Sequence, residues 1–411
     1  MLRKVEQGFA VLMLSYACGA SAALTNDGQS FDRTQGGGWA LLLQAAFYGF
    51  ALLLFLPRIH ALATGAVRAR WISALVLFAI TSSFWSQDGG LTLRHGIALA
   101  ATALYGIYFG SRFELREQLR LLSWTLLLLL AVSSAVAIAF PGFGVESGSH
   151  LGNWRGLFVQ KNTLARIAVL SFITFLSWDT PRTLLRWGSI VFAIGVLGMT
   201  RSASAAAILA ALIALTQIYR VTRLRLTISV PVIITVAAAA SLVGGYVMTH
   251  RNELLATLGR DPTLTGRTQL WQAVWIAIRK HPFVGYGFNA FWLGMVGESA
   301  SVISTVHWLV IHSHNGVLDV LLDLGACGVL LCAAAYLAAL KDGFRFYRAG
   351  RFREHAWPLA FLTFLLLYNA TESAVLQPNS VFLILLTAIT VRLALKQAQP
   401  ETSPLGYAAA A

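Results

Sequence analysis

Charge is scarce in this chain. Of its 411 residues only 12% are Asp, Glu, Lys or Arg, against 57% hydrophobic, which leaves too little charge to cover the surface of a soluble domain of that size. Cysteine is scarce too. Cys18, Cys327 and Cys332 all lie in apolar stretches without metal-ligand spacing, which excludes a disulfide framework and a cysteine-based metal centre. No Walker-type glycine loop is present, so nothing indicates a nucleotide site.

What the chain has instead is long apolar runs. Leu121 to Phe140, LLSWTLLLLLAVSSAVAIAF, carries no charge and is as long as the ~20 residues a bilayer crossing needs. The expectation is an all-α, polytopic membrane bundle of about twelve spans. They fall at 7–25, 38–57, 70–85, 91–110, 120–140, 162–178, 185–200, 202–218, 226–248, 314–340, 356–371 and 378–395. The first follows a Lys/Arg-containing start and reads as a retained helix, because further spans follow it. The whole of 1–395 forms one transmembrane unit, 249–313 is a large loop between spans 9 and 10, and 396–411 is a flexible tail.

The net charge of +14 invites a nucleic-acid reading that fails once the charges are placed. With a cytoplasmic N-terminus the inner loops are 58–69, 111–119, 179–184, 219–225 and 341–355, and the inner side takes 20 of the 31 Lys and Arg residues. That is the positive-inside pattern, with both termini cytoplasmic and the 249–313 loop outside. The protein is expected in a bacterial inner membrane, surrounded by lipid and with no nucleic-acid partner.

The other 11 basic residues are more informative, because short outer loops are normally poor in them. Arg166 and Arg279 suit snorkelling to headgroups. Arg94 follows the turn FWSQDGG, Arg155 and Lys161 flank an aromatic-glycine turn in GNWRGLFVQKNTLA, Arg201 sits on the tight corner MTRSAS, and Arg267 starts LTGRTQLW. The last belongs to an amphipathic segment rich in Trp, suited to headgroup level, with Thr265 or Thr268 as its cap and His281-Pro282 as its end. Asn162 or Thr163 is expected to cap the sixth span.

HSHNGVLDVLLDLG, from His312, closes the loop. Zinc needs three or four ligands, and an isolated HxH pair supplies too few, so no metal is expected. A neutral imidazole at the membrane surface suits proton acceptance, and His314 is the candidate base. Asn315 can cap the helix or hold the ring's tautomer, His312 can support it, and Glu372, the carboxylate of the outer turn LYNATES, can pair with an outer arginine. Guanidinium groups on one membrane face suggest a multiply anionic lipid such as a pyrophosphate-linked glycan. Arg201, Arg155, Lys161 and Arg94 would grip the pyrophosphate while His314 deprotonates a sugar hydroxyl. An anion transporter is the competing reading, though no convincing inverted repeat supports it.

At these residues the chain resembles the bacterial O-antigen ligase / Wzy polymerase superfamily, and within it the ExoQ-type exopolysaccharide polymerases. GNWRGLFVQKNTLA, LTGRTQLW, HPFVGYGFNAFW and HSHNGVLDVLLDLG carry the likeness, in that order. The resemblance implies a GT-C-like, metal-independent, inverting glycosyltransferase working at the periplasmic face without cofactors. Its donor would be an undecaprenyl-pyrophosphate-linked glycan. Its acceptor would be a lipid-linked repeat unit for a polymerase, or lipid A-core for a ligase. Arg267 would be the loop arginine of the catalytic pair with His314. Ser313 stands where alanine is usual, and Gln160 where a polymerase-like pattern often has histidine.

Overall fold

The computed structural model describes residues 2–20, 38–148, 151–223, 266–350, 352–374 and 376–397. Among these residues the regular structure is helix, and the extended pairing is a single bridge between Val145 and Trp154. The helices are α1 (Leu2–Ala17), α2 (Gly38–Phe55), α3 (Ile59–Arg68), α4 (Arg70–Thr81), α5 (Gly89–Arg112), α6 (Leu115–Ala139), α7 (Pro141–Gly144) and α8 (Lys161–Ser177). They continue with α9 (Thr183–Thr200), α10 (Ala203–Val221), α11 (Arg267–Lys280), α12 (Glu298–Val306), α13 (Gly316–Ala349), α14 (Trp357–Asn369) and α15 (Val381–Gln397).

A helix occupies each expected segment except 226–248, which lies outside the described residues. Five helical stretches are long and apolar enough to cross a membrane: Leu42–Arg68, Leu115–Ala139, Thr183–Thr200, Ala203–Val221 and Gly316–Ala349. The protein is a polytopic helical membrane protein. Three boundaries need correction, the first being 341–355, expected as a loop, where α13 runs on to Ala349. The stretch 58–69, expected as a loop, is mostly α3, joined to α2 by one 3₁₀ turn. Span 1 begins earlier than expected and its helix ends at Ala17, while the tail from 398 lies outside the described residues.

Helix packing follows small residues. Gly106 and Gly110 lie four apart on α5 and face α15. A Cβ on Gly110 would lie 2.6 Å from the Ala388 carbonyl oxygen, so glycine is what lets these two backbones touch. At one end of the bundle the fully buried Glu6 carboxylate takes Arg58 at 2.7 Å and Arg112 at 2.6 Å, and Glu117 takes Arg3 at 2.8 Å. These pairs gather at the start of α6. Its other end, about 37 Å away by helical rise, meets Arg155, whose Nε donates to the Phe143 carbonyl oxygen. The two basic sets therefore sit at opposite ends of the bundle.

A second, smaller core forms from α11, α12 and the start of α13, built on Leu270, Val274, Phe291, Val302 and Leu322. It docks on the bundle through the Phe288 backbone: its N–H donates to Ser82 Oγ at 2.9 Å, and its carbonyl accepts from Thr92 Oγ1 at 3.1 Å. Asp88 caps α5 at the same joint by accepting from the Leu91 N–H.

The sequence reads span 10 as continuous, but α13 is broken at Gly325 (φ 62°, ψ −162°). The segment 282–287 fills the break. Tyr286 and Gly287 N–H groups donate to the Leu322 and Asp323 carbonyls at 2.8 and 2.9 Å, while Ala326 and Cys327 N–H groups donate to the Pro282 and Phe283 carbonyls at 2.8 and 3.1 Å. Two N–H and two carbonyl groups at the kink are thus satisfied, as an apolar setting demands. The part after the break, 326–349, is 24 residues, about 36 Å and long enough to cross alone. Asp319 and Asp323 precede it and belong to the small core, which explains two carboxylates in an apparently apolar span. That backbone conformation is open essentially to glycine alone, and a Cβ there would lie 2.3 Å from the Phe283 carbonyl carbon. Gly325→Ala is therefore expected to destabilise the protein by at least ~2 kcal/mol. A lowered thermal unfolding midpoint of the detergent-purified variant would show it, and an unchanged midpoint would refute the strap.

Candidate functional site

Five segments meet at Glu372, in the turn after α14. His314 Nδ1 lies 3.5 Å from Glu372 Oε2, and Arg267 Nη2, at the start of α11, lies 3.9 Å from Oε1. Arg267 Nη1 also donates to the Thr371 carbonyl at 3.0 Å. Asn162, on the first turn of α8, points its Nδ2 at Glu372 Oε1 (3.4 Å), and its Oδ1 accepts from Ser202 Oγ at 3.0 Å. Through Ser202 the α9–α10 corner joins the group. Side-chain exposures of 25% for His314, 24% for Arg267 and 14% for Glu372 describe a half-sheltered floor, open to a ligand yet dry enough for charges to act strongly.

His314 is held in place by its neighbours. It adopts a left-handed backbone (φ 55°), and Asn315 after it caps α13 by accepting from the Val317 and Leu318 N–H groups at 3.0 and 3.3 Å. Asp319, one helical turn on, accepts from the Ser313 N–H at 3.0 Å, from Trp292 Nε1 at 2.9 Å and from Ser373 Oγ. Asp319 thus ties the segment that carries His314 to the turn that carries Glu372. Gly316 fits because a Cβ would lie 2.4 Å from Asn369 Oδ1, so α14 is what approaches there.

Burial pushes the Glu372 carboxyl up, but the neighbouring side chains of His314, His312 and Arg267 outweigh it. The net direction is below the usual carboxylate range. An ionised Glu372 beside Nδ1 favours the tautomer with hydrogen on Nδ1 and leaves Nε2 as the proton acceptor.

The remaining candidates are placed unequally. Lys161 begins α8, and its backbone N–H donates to Glu146 Oε1 at 2.6 Å. The Trp154 N–H donates to the Met199 carbonyl at 3.1 Å, which sets Arg155 beside the α9 end that carries Arg201. Arg201 closes α9 in a left-handed conformation (φ 48°) with its side chain exposed. Arg94 lies elsewhere, on α5 at the joint with the small core, where His95 contacts Asn289. Three expectations need correction. Asn162 and Thr163 do not cap α8; the N-cap is Gln160, and Asn162 serves Glu372 instead. The N-cap of α11 is Gly266, without a side-chain cap. The HxH pair is not isolated: donor atoms of His312, His314 and Glu372 all lie within 4.8 Å of one another.

Residues 188–333 match a family model described as O-antigen ligase. The chain is also similar to the exopolysaccharide production protein ExoQ of Rhizobium meliloti (strain 1021), with 26% identity over 313 residues, covering 72% of this chain and 69% of the relative. The chain is thus similar to proteins of the O-antigen ligase and ExoQ kind. The family match runs from α9 through α11 and the HSHNG segment into α13, the stretch that supplies Arg201, Arg267, His314 and Asp319. Glu372, Asn162 and Arg155 lie outside that match and are drawn to it by the fold. Both matches are to proteins described by O-antigen ligation or exopolysaccharide production.

Proposed function

We propose that this protein is a metal-independent, inverting glycosyltransferase that polymerises polyprenyl-pyrophosphate-linked repeat units at the periplasmic face. The observation that carries this is the line Arg267–Glu372–His314, at the end of the bundle opposite the basic cluster around Glu6 and Glu117. His314 Nε2 takes the proton from an acceptor sugar hydroxyl as its oxygen attacks the anomeric carbon. The bond from that carbon to the pyrophosphate oxygen breaks on the opposite face, and the leaving pyrophosphate keeps the electron pair. Arg267 and Arg201, with Arg155 and Lys161, neutralise its charge. Arg94 is a more distant donor-side contact. Glu372 orients the base, and its negative charge favours the imidazolium that forms.

In the same reading residues 1–395 make one GT-C-like unit of about twelve spans, with 249–313 as its periplasmic loop and both termini cytoplasmic. In a cysteine-free background, a thiol reagent that cannot cross the membrane should label Leu151→Cys and Met295→Cys but not Arg223→Cys or Arg353→Cys. The reverse labelling would invert the topology and remove the site from the periplasm.

Similarity to an exopolysaccharide production protein favours the polymerase. The family description favours a second reading, a ligase transferring glycan to lipid A-core. Reconstitution with lipid-linked repeat units alone decides between them. A polymerase yields a ladder of lengths in the presence of a chelator. No ladder, but transfer once lipid A-core is added, makes it a ligase.

A further inference from the structure

We propose that His312, His314 and Glu372 form a binding site for a borderline divalent cation such as Zn2+, and that the ion switches the base off. The donors are two imidazoles and one carboxylate, within 4.8 Å of one another. Three such protein ligands with an open fourth position are a zinc-type set. Imidazole donors select zinc over magnesium or calcium, which prefer all-oxygen shells.

Metal–ligand distances of ~2.0–2.1 Å require tetrahedral donors to stand roughly 3.4 Å apart. His314 Nδ1 and Glu372 Oε2 are already 3.5 Å apart. His312 makes the adjustment: its ring stands 4.1 Å from the His314 ring, centroid to centroid, and its Nδ1 accepts a 3.2 Å hydrogen bond from the His314 N–H, which it gives up. Glu372 has an oxygen to spare for the ion, because Oε1 faces Arg267 and Asn162 while Oε2 faces His314. The Arg267 guanidinium opposes the ion by like charge and sets the affinity below that of a dedicated zinc centre.

The consequence for catalysis rests on the proposed function. A metal on Nδ1 leaves the ring's proton on Nε2, and an N–H there accepts nothing. The ion-free protein is then the active form.

The test uses full-length, metal-stripped protein without a histidine tag, titrated with Zn2+ against a chromophoric indicator. Wild type should take one equivalent. His312→Ala, His314→Ala and Glu372→Gln should each weaken that binding about tenfold or more. Arg267→Ala should bind several-fold more tightly, a response that adventitious surface histidines would not give. Co2+ in place of zinc should give the visible absorption of a four- or five-coordinate site. Elution profile and unfolding midpoint of each variant show that it is folded, and His312→Gln, which keeps the bulk, repeats the result should His312→Ala unfold. No zinc taken up by wild type, or equal affinity in all three ligand variants, overturns the site. Zinc bound as expected while transfer runs undiminished would leave the site standing and remove His314 as the base.

Discussion

On the proposed function, the His314→Ala protein is expected to bind its lipid-linked donor as wild type does and to transfer glycan some 10²–10⁴-fold more slowly, the usual worth of a positioned base. The split between binding and chemistry follows from position. His314 is 25% exposed and contacts Glu372, while the groups suited to gripping pyrophosphate are Arg267, Arg201, Arg155 and Lys161 on other segments. Removing the imidazole leaves Asn315 free to cap α13, so the fold of the loop survives the change. Donor binding by quenching of a labelled lipid, alongside single-turnover transfer, would separate the two effects. Transfer at the normal rate would reduce HSHNG to a helix start, and a parallel loss of binding would make His314 a donor ligand.

Arg267→Lys should be nearly as damaging as Arg267→Ala. The guanidinium does two things at once: one nitrogen donates to the Thr371 carbonyl at 3.0 Å while the other lies 3.9 Å from Glu372. An ammonium is a point charge and cannot hold the turn and face a phosphate along a second direction. A loss of about 10²–10³-fold in transfer is expected for either variant, as for removal of one charge-stabilising donor in other enzymes. Arg201→Lys should behave alike, although its exposed side chain has less to hold it. Full transfer by both lysine variants, at wild-type protein levels, would end the pyrophosphate role.

The apolar runs made the bundle legible, because a bilayer leaves hydropathy as almost the only requirement on a crossing helix. The site was legible in pieces. Arg201, Arg267 and His314 stand out as charge or imidazole where apolar sequence is the rule. What the sequence hid was their partnership with Glu372, some 60 residues beyond His314 and on the far side of two helices. No local spacing encodes that contact. Asn162 was misleading for a related reason: Asn-Thr before an apolar run has the composition of a cap, and only tertiary contact turns its amide toward Glu372 and Ser202. Asp319 carried a usable signal, a carboxylate at the i+4 position from the capping Asn315, but it looked like a charge misplaced in a span. The break at Gly325 was hidden too, since one glycine among others in an apolar run carries no mark, and its necessity lies in the backbone of Pro282 to Gly287.

That strap across the broken helix also decides how the protein carries load. Four backbone hydrogen bonds tie 282–287 to both sides of Gly325, so the small core cannot swing on its connecting loop without tearing all of them. A tug on the loop side, of the kind a tethered glycan chain would exert, reaches the long segment 326–349 as a whole. The corner that carries His314 and the helix beneath it are thereby coupled as one rigid lever. Their relative motion with α14 is resisted at its end, where Asp319 grips Ser373. A crosslink between the lower part of α13 and its bundle neighbours would accordingly be felt at the His314 corner some helical turns above.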